Sequence, residues 1–223
     1  MSAQEDTVIL SRESAGASAA TDTGAALAGG ETASTVALTP AQFLEKRRSS
    51  QSVYVFDLRP SEAYDAGHLP GAYSLPFEHM EANLHRLPFS GDLMFYDGGE
   101  GTVHQVVALL NDNGFNDHSH VVEGFAALME TIRTSPDEVN YDSLTPAERA
   151  SKIEQILDSK VREFLARDGG GMEVMGIEEG KVMVSYQGAC GSCSSSTAGT
   201  LRFIQGVLTI SLNHEIEVVP VDT

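Results

Sequence analysis

Hydrophobic positions fall into two blocks of different rhythm, separated by a polar stretch at 134–147. In the first block, short apolar runs alternate with helical patterns. Residues 36–38 read as a short strand, and Thr39-Pro40 opens a helix carrying Phe43 and Leu44. Residues 53–56 and 93–96 are compact β-favouring runs, the first ending at Asp57-Leu-Arg59, and both predict buried strands. Val103, Val106, Val107 and Leu110 repeat at helical spacing, and Gly114 stands where a left-handed cap closes that helix. Residues 120–122 predict a further strand. This alternation predicts an α/β domain with a parallel sheet over 36–133.

The second block, 148–223, has another order of elements. Thr145-Pro-Ala-Glu148 has the spacing of a capping box, with proline at the first helical position. Ile153, Ile156, Leu157, Val161, Phe164 and Leu165 line one face of the helix that follows, which stops at Asp168-Gly-Gly-Gly171. Two strands near 172–177 and 181–186 flank a turn at Glu179-Gly180. A helix over 195–213 carries two apolar stripes, Leu201/Ile204/Leu208 and Phe203/Val207/Ile210, so both its flanks are expected to be covered. Residues 216–221 predict the last strand, which makes this a second, smaller α/β unit. Residues 1–35, rich in Ala, Ser, Thr and Gly with no apolar period, are expected to form a mobile, disordered tail. No internal repeat links the two blocks.

Charge narrows the functions open to the chain. Its 223 residues carry a net charge of −18, which argues against binding nucleic-acid backbones or anionic membrane surfaces. No stretch approaches the roughly 20 apolar residues of a membrane span. The N-terminal stretch has no basic region followed by an apolar run, and Glu5, Asp6, Glu13 and Asp22 outweigh Arg12 there. A cytosolic (cytoplasmic) protein is the expectation. The chain has two cysteines, Cys190 and Cys193, in one C-x-x-C pair. In a reducing compartment that favours metal or redox chemistry over a structural disulfide.

Asp57-Leu-Arg59, Glu62-Ala-Tyr64 and Gly67-His-Leu-Pro-Gly-Ala72 resemble the rhodanese family, as do Gly114-Phe115 and Glu123-Gly-Phe-Ala-Ala127. The resemblance spans 36–133 and implies a small α/β fold. The family's chemistry uses a cysteine at the end of the central strand, followed by a tight loop of amides that stabilises a persulfide. Here that strand delivers Asp97, and the loop Gly98-Gly-Glu-Gly-Thr102 has no arginine. A carboxylate cannot carry a persulfide, so sulfurtransferase chemistry of the usual kind is excluded. Asp97 is then either a fixed anion in the amide cradle, leaving an inactive docking module, or part of a loop for another ligand with His104 nearby. The docking module is the preferred expectation. His68 is expected to be a satisfied structural histidine, and His118 and His120 to be solvent-exposed.

From 148 onward the chain resembles the NifU C-terminal domain. The resemblance rests on Val161-Arg-Glu-Phe-Leu165, Asp168-Gly-Gly170 and Gln187-Gly-Ala-Cys-Gly-Ser-Cys193, followed by Ser194-Ser-Ser-Thr197. Ser194 replaces the family's usual proline, and Gly171-Met172 stands where an acidic residue is common; neither change removes a ligand. The resemblance implies an iron–sulfur cluster assembly and carrier protein, not an enzyme, with Cys190 and Cys193 as metal and cluster ligands. It also implies apo iron–sulfur proteins and assembly proteins as partners. A cubane takes four cysteines and one chain offers two, so a [4Fe–4S] cluster bridging a homodimer is expected, with [2Fe–2S] as the other cluster type. A thioredoxin-like thiol–disulfide oxidoreductase is the main alternative. A zinc site lacks further ligands, since His214 stands alone in this block, and an adventitious surface pair is the remaining alternative.

Overall fold

The computed structural model describes residues 34–221 except 51, 116, 168, 179 and 189–193. The expected tail therefore lies outside the described residues, apart from Ser34 and Thr35, which belong to the first strand.

Five strands and five α-helices, with a 3-10 turn at Leu84–Arg86, are described in the N-terminal domain. They are β1 (Ser34–Leu38), α1 (Pro40–Ser49), β2 (Val53–Asp57), α2 (Ser61–Ala66), β3 (Tyr73–Ser74), α3 (Phe77–Asn83), β4 (Asp92–Tyr96), α4 (Thr102–Asp112), β5 (Asp117–Val121) and α5 (Gly124–Thr134). All strand pairings are parallel, in the order β1-β5-β4-β2-β3, as expected of a rhodanese-like α/β domain. Successive residues of β4 point to opposite faces, which gives the sheet two cores. Leu93 and Phe95 pack with Val103, Val106 and Leu110 of α4, while Met94 and Tyr96 pack with Phe43 and Leu44 of α1 and Leu128 and Ile132 of α5. At the start of α1, the Thr39 hydroxyl accepts from the Gln42 amide and the Gln42 side chain accepts from the Thr39 amide, with Pro40 beside them.

The C-terminal unit comprises α6 (Pro146–Leu157), a π-helical turn (Asp158–Arg162), α7 (Glu163–Arg167), β6 (Gly170–Glu178), β7 (Lys181–Gly188), α8 (Ser194–Leu212) and β8 (Glu217–Pro220). Strands β6 and β7 form an antiparallel hairpin, with a register shift between Val174 and Gly176, and β8 adds to β7 in parallel. Ile153, Leu157, Val161, Leu165, Val182, Val184, Ile204, Leu208 and Leu212 fill its core. Two expectations about faces fail here. Phe164 is 52% exposed although Leu165 beside it is buried. The extra residue of the π turn rotates α7 relative to α6, and Phe164 leaves the core-facing side. Phe203 is also open, at 37% exposure, and its ring lies tilted against Phe164 with centroids 5.2 Å apart. The stretch expected as a linker contributes a side chain to this core: Tyr141 is 2% exposed there.

Candidate functional site

The loop after β4 is built around Asp97. Its carboxylate is fully buried, with Oδ1 accepting from the Gly99 amide at 2.7 Å and Oδ2 from the Val103 amide at 3.0 Å. Its carbonyl accepts from the Phe125 amide at 2.8 Å. Gly99 and Gly101 have φ of +103° and +84°, which lets the loop curl tightly enough to turn amides onto that carboxylate. Gly124 closes the loop from below, because a Cβ there would stand 2.4 Å from the Gly99 nitrogen. The anion in this cradle is thus the protein's own side chain.

Beneath it, the Asp57-Leu-Arg59 motif forms a brace. Arg59 Nη2 donates to Asp57 Oδ2 at 2.6 Å and to the Gly67 carbonyl at 2.7 Å, and its guanidinium lies 3.7 Å from the Phe125 ring centroid. The Tyr96 hydroxyl donates to Asp57 Oδ2 at 2.7 Å and accepts from the Leu69 amide at 3.1 Å. Burial, and then the charge of Asp57, push the Tyr96 phenol far above its ordinary value, so it stays a neutral donor.

Histidines near this loop divide into two kinds. His68 stacks on Tyr64 at 3.8 Å and its Nδ1 lies 3.1 Å from the Tyr64 carbonyl, a satisfied structural residue as expected. His118 and His120 are 1% and 4% exposed, which overturns their expected exposure. The reason is strand order: β5 lies between β1 and β4, so side chains on this face are covered by α4. His118 Nε2 lies 3.2 Å from Asn111 Oδ1, whereas neither ring nitrogen of His120 has a hydrogen-bond partner. The His104 ring stands edge-on to His120 at 5.5 Å. Burial lowers both buried imidazoles below their ordinary range, and His104 lowers His120 further. Both are therefore neutral near pH 7.

Cys190 and Cys193 lie outside the described residues, so their geometry stays an expectation. Their place in the chain is set by the elements on either side. β7 ends at Gly188 and the 19-residue α8 begins at Ser194, directly after Cys193. A helix start offers unpaired amides and the positive end of the dipole, which favour a thiolate over a thiol. Among the described residues, no group of three or more His, Cys, Asp or Glu side chains is placed to hold a metal ion. His214 is engaged elsewhere, with Nδ1 3.3 Å from the Asp142 carboxylate and its ring stacked on Tyr141.

Several polar residues escaped the sequence reading. Arg47 is 1% exposed and donates to Asn213 between the two domains, and Asn213 in turn donates to Glu138. Arg47 follows Phe43 by four positions and Leu44 by three, on the core-facing side of α1, and that spacing was the available signal. Nothing local marks Asn213 or Glu138.

The NifU-like domain family matches residues 153–219, and the rhodanese-like domain family matches residues 39–131. The nitrogen fixation protein NifU of an Anabaena species (strain L31) is 38% identical over 76 residues, which make up 34% of this chain and 68% of that protein. NifU of a Nostoc species is 40% identical over 75 residues, 34% of this chain but 25% of that protein. The mitochondrial NFU1 iron-sulfur cluster scaffold homolog of Drosophila ananassae is 32% identical over 85 residues, 38% of this chain and 29% of that protein. The chain thus spans about a quarter of the length of the Nostoc relative.

Proposed function

Because the chain belongs to the NifU-like family through its C-terminal block, we propose that it is an iron–sulfur cluster carrier, with Cys190 and Cys193 holding the cluster as cargo for delivery to apo-proteins. The observation that carries this reading is the position of the C-x-x-C pair. It stands inside the matched stretch, between the end of β7 and the first turn of α8. Thiolates are the usual ligands of such clusters, and the α8 N-terminus lowers the cost of keeping two of them charged side by side. The cytosolic setting expected from the sequence keeps both thiols reduced.

Stoichiometry sets the assembly. One chain supplies two thiolates and a cubane takes four, so a [4Fe–4S] cluster is proposed to join two copies of the chain. A ligand shell shared between two chains opens when they part, which suits a cargo that must be handed on. The N-terminal domain takes no chemical step in this reading, because its cradle is filled by the Asp97 carboxylate.

Anaerobic reconstitution followed by size exclusion, with iron, sulfide and Mössbauer measurements, tests the proposal. The expected result is four irons per two chains in a dimer peak, lost in Cys190→Ala and in Cys193→Ala. A [2Fe–2S] spectrum in the dimer would keep the carrier role and change the cluster type. A monomer that binds no iron yet cycles between dithiol and disulfide near the potential of thioredoxin would replace the carrier by an oxidoreductase.

A further inference from the structure

A buried polar seam runs between the two domains, and Arg47 is its centre. Its guanidinium donates from Nη1 to Asn213 Oδ1 at 2.8 Å and from Nη2 to the Pro70 carbonyl. Asn213 follows α8 directly and is the single non-glycine residue with positive φ among the described residues, at 50°. Its Nδ2 donates to Glu138 Oε2 at 3.0 Å and to the Val139 carbonyl at 3.2 Å. Glu138, with a side chain 2% exposed, reaches back to Arg48 at 3.0 Å. Lys160 Nζ donates to the Arg48 carbonyl at 3.2 Å and to Ser211 Oγ at 3.3 Å. Beside them, Glu215 Oε1 accepts from the Gly71 amide at 2.6 Å. The methyl of Thr209 would lie only 3.3 Å from a Cβ at Gly71, so the two domains meet there at backbone distance.

We propose that the thiol-less N-terminal domain docks the chain's own C-terminal domain, and that Arg47 and Asn213 are positioning residues which hold α8 in one orientation. This goes beyond the carrier reading and stands whichever cargo the cysteines hold. The C-terminal turn of α1 grips the C-terminal end of α8, while the cysteine pair precedes its first residue. Nineteen residues of helix separate the two, roughly 28 Å at the usual rise. The helix then acts as a strut that sets its first turn, next in sequence to the cysteine pair, at a fixed distance from the clamp. Arg47 is buried where the core-facing side of α1 meets the C-terminal domain, between the Pro70 carbonyl of its own domain and Asn213 of the other. Burial pulls its pKa down to about 10, leaving it charged near neutrality. Its Nε is buried without a partner among the described residues, so the bonds from Nη1 to Asn213 and from Nη2 to Pro70 carry the compensation for this buried charge and tie it to one docking geometry.

Asn213→Gly is the informative variant. Glycine suits the left-handed conformation at least as well as asparagine, so the end of α8 keeps its backbone while the clamp loses all three hydrogen bonds of the Asn213 side chain. Small-angle scattering of the full apo chain is the deciding readout, with circular dichroism confirming unchanged secondary structure. The expected result is a larger radius of gyration for Asn213→Gly. Proteolytic cleavage between 134 and 140 is expected to be about tenfold faster than in the wild type, the size set by a lost hydrogen bond to a charged group. Arg47→Ala is expected to widen the scattering envelope in the same way. If Asn213→Gly scatters as the wild type does, the clamp does not set the orientation and the proposal fails. A wild-type chain whose two domains already tumble independently would overturn it as well.

Discussion

Asp97 accepts from the Gly99 and Val103 amides inside the fold, so its removal leaves two donors unpaired. Asp97→Ala should cost about 2–4 kcal/mol of stability in urea denaturation, and Asp97→Asn, which keeps one acceptor oxygen, roughly half of that. A wild-type midpoint in Asp97→Ala would mean that the loop opens and finds water instead. The buried imidazoles make a separate prediction about pH. Their folded-state pKa values lie below the ordinary value near 6.5, so the unfolded chain binds more protons in that interval. Stability should therefore hold above about pH 6.5 and fall as pH drops from there toward the lowered values. Unfolding free energies measured from pH 8 to pH 5 check this, and His120→Phe should flatten part of the slope. A profile in which His120→Phe leaves the slope unchanged would count against the buried, neutral assignment. These residues differ in legibility: an aspartate at the end of an apolar strand can be read from the sequence, whereas the burial of His118 and His120 follows from which strands flank β5.

Within single elements, α8 holds the clearest imbalance. Gly199 and Gly206 sit in its interior with negative φ, and nothing lies within 4 Å of where a side chain would begin. Interior helical glycines cost roughly 0.5–1 kcal/mol relative to alanine through backbone entropy. Gly206→Ala should accordingly raise stability by about that amount, seen as a higher denaturation midpoint with an unchanged slope. A lower midpoint would point to a close approach at this face that the isolated chain does not reveal. Helix starts with capping boxes, at Thr39 and Thr145, were legible because their signal is confined to four residues. The sequence pattern does not predict α2, β3, α3 or α5. α2 has no buried residue and β3 is two residues long, so neither carries a hydrophobic period to detect. The π turn at Asp158–Arg162 was also invisible, since a one-residue insertion changes the face of Phe164 without changing the local composition.

Across the whole molecule, the polar seam changes the meaning of the N-terminal domain. A cradle closed by its own carboxylate and a face occupied by the C-terminal domain describe a platform for α8. Sequence by itself determined that the chain holds two α/β blocks, that strands fall near residues 53–56 and 93–96, and that the first block offers no thiol. It also placed the cysteine pair between a strand and a helix, because that reading needs only neighbouring residues. Tertiary structure alone decided the order β1-β5-β4-β2-β3, the burial of His118 and His120, and the meeting of Arg47 with Asn213 across 166 positions. Hydrophobic periodicity records which face of an element avoids water over a few turns. Which distant element covers that face, and which buried charge finds its partner there, is settled only when the whole chain closes on itself.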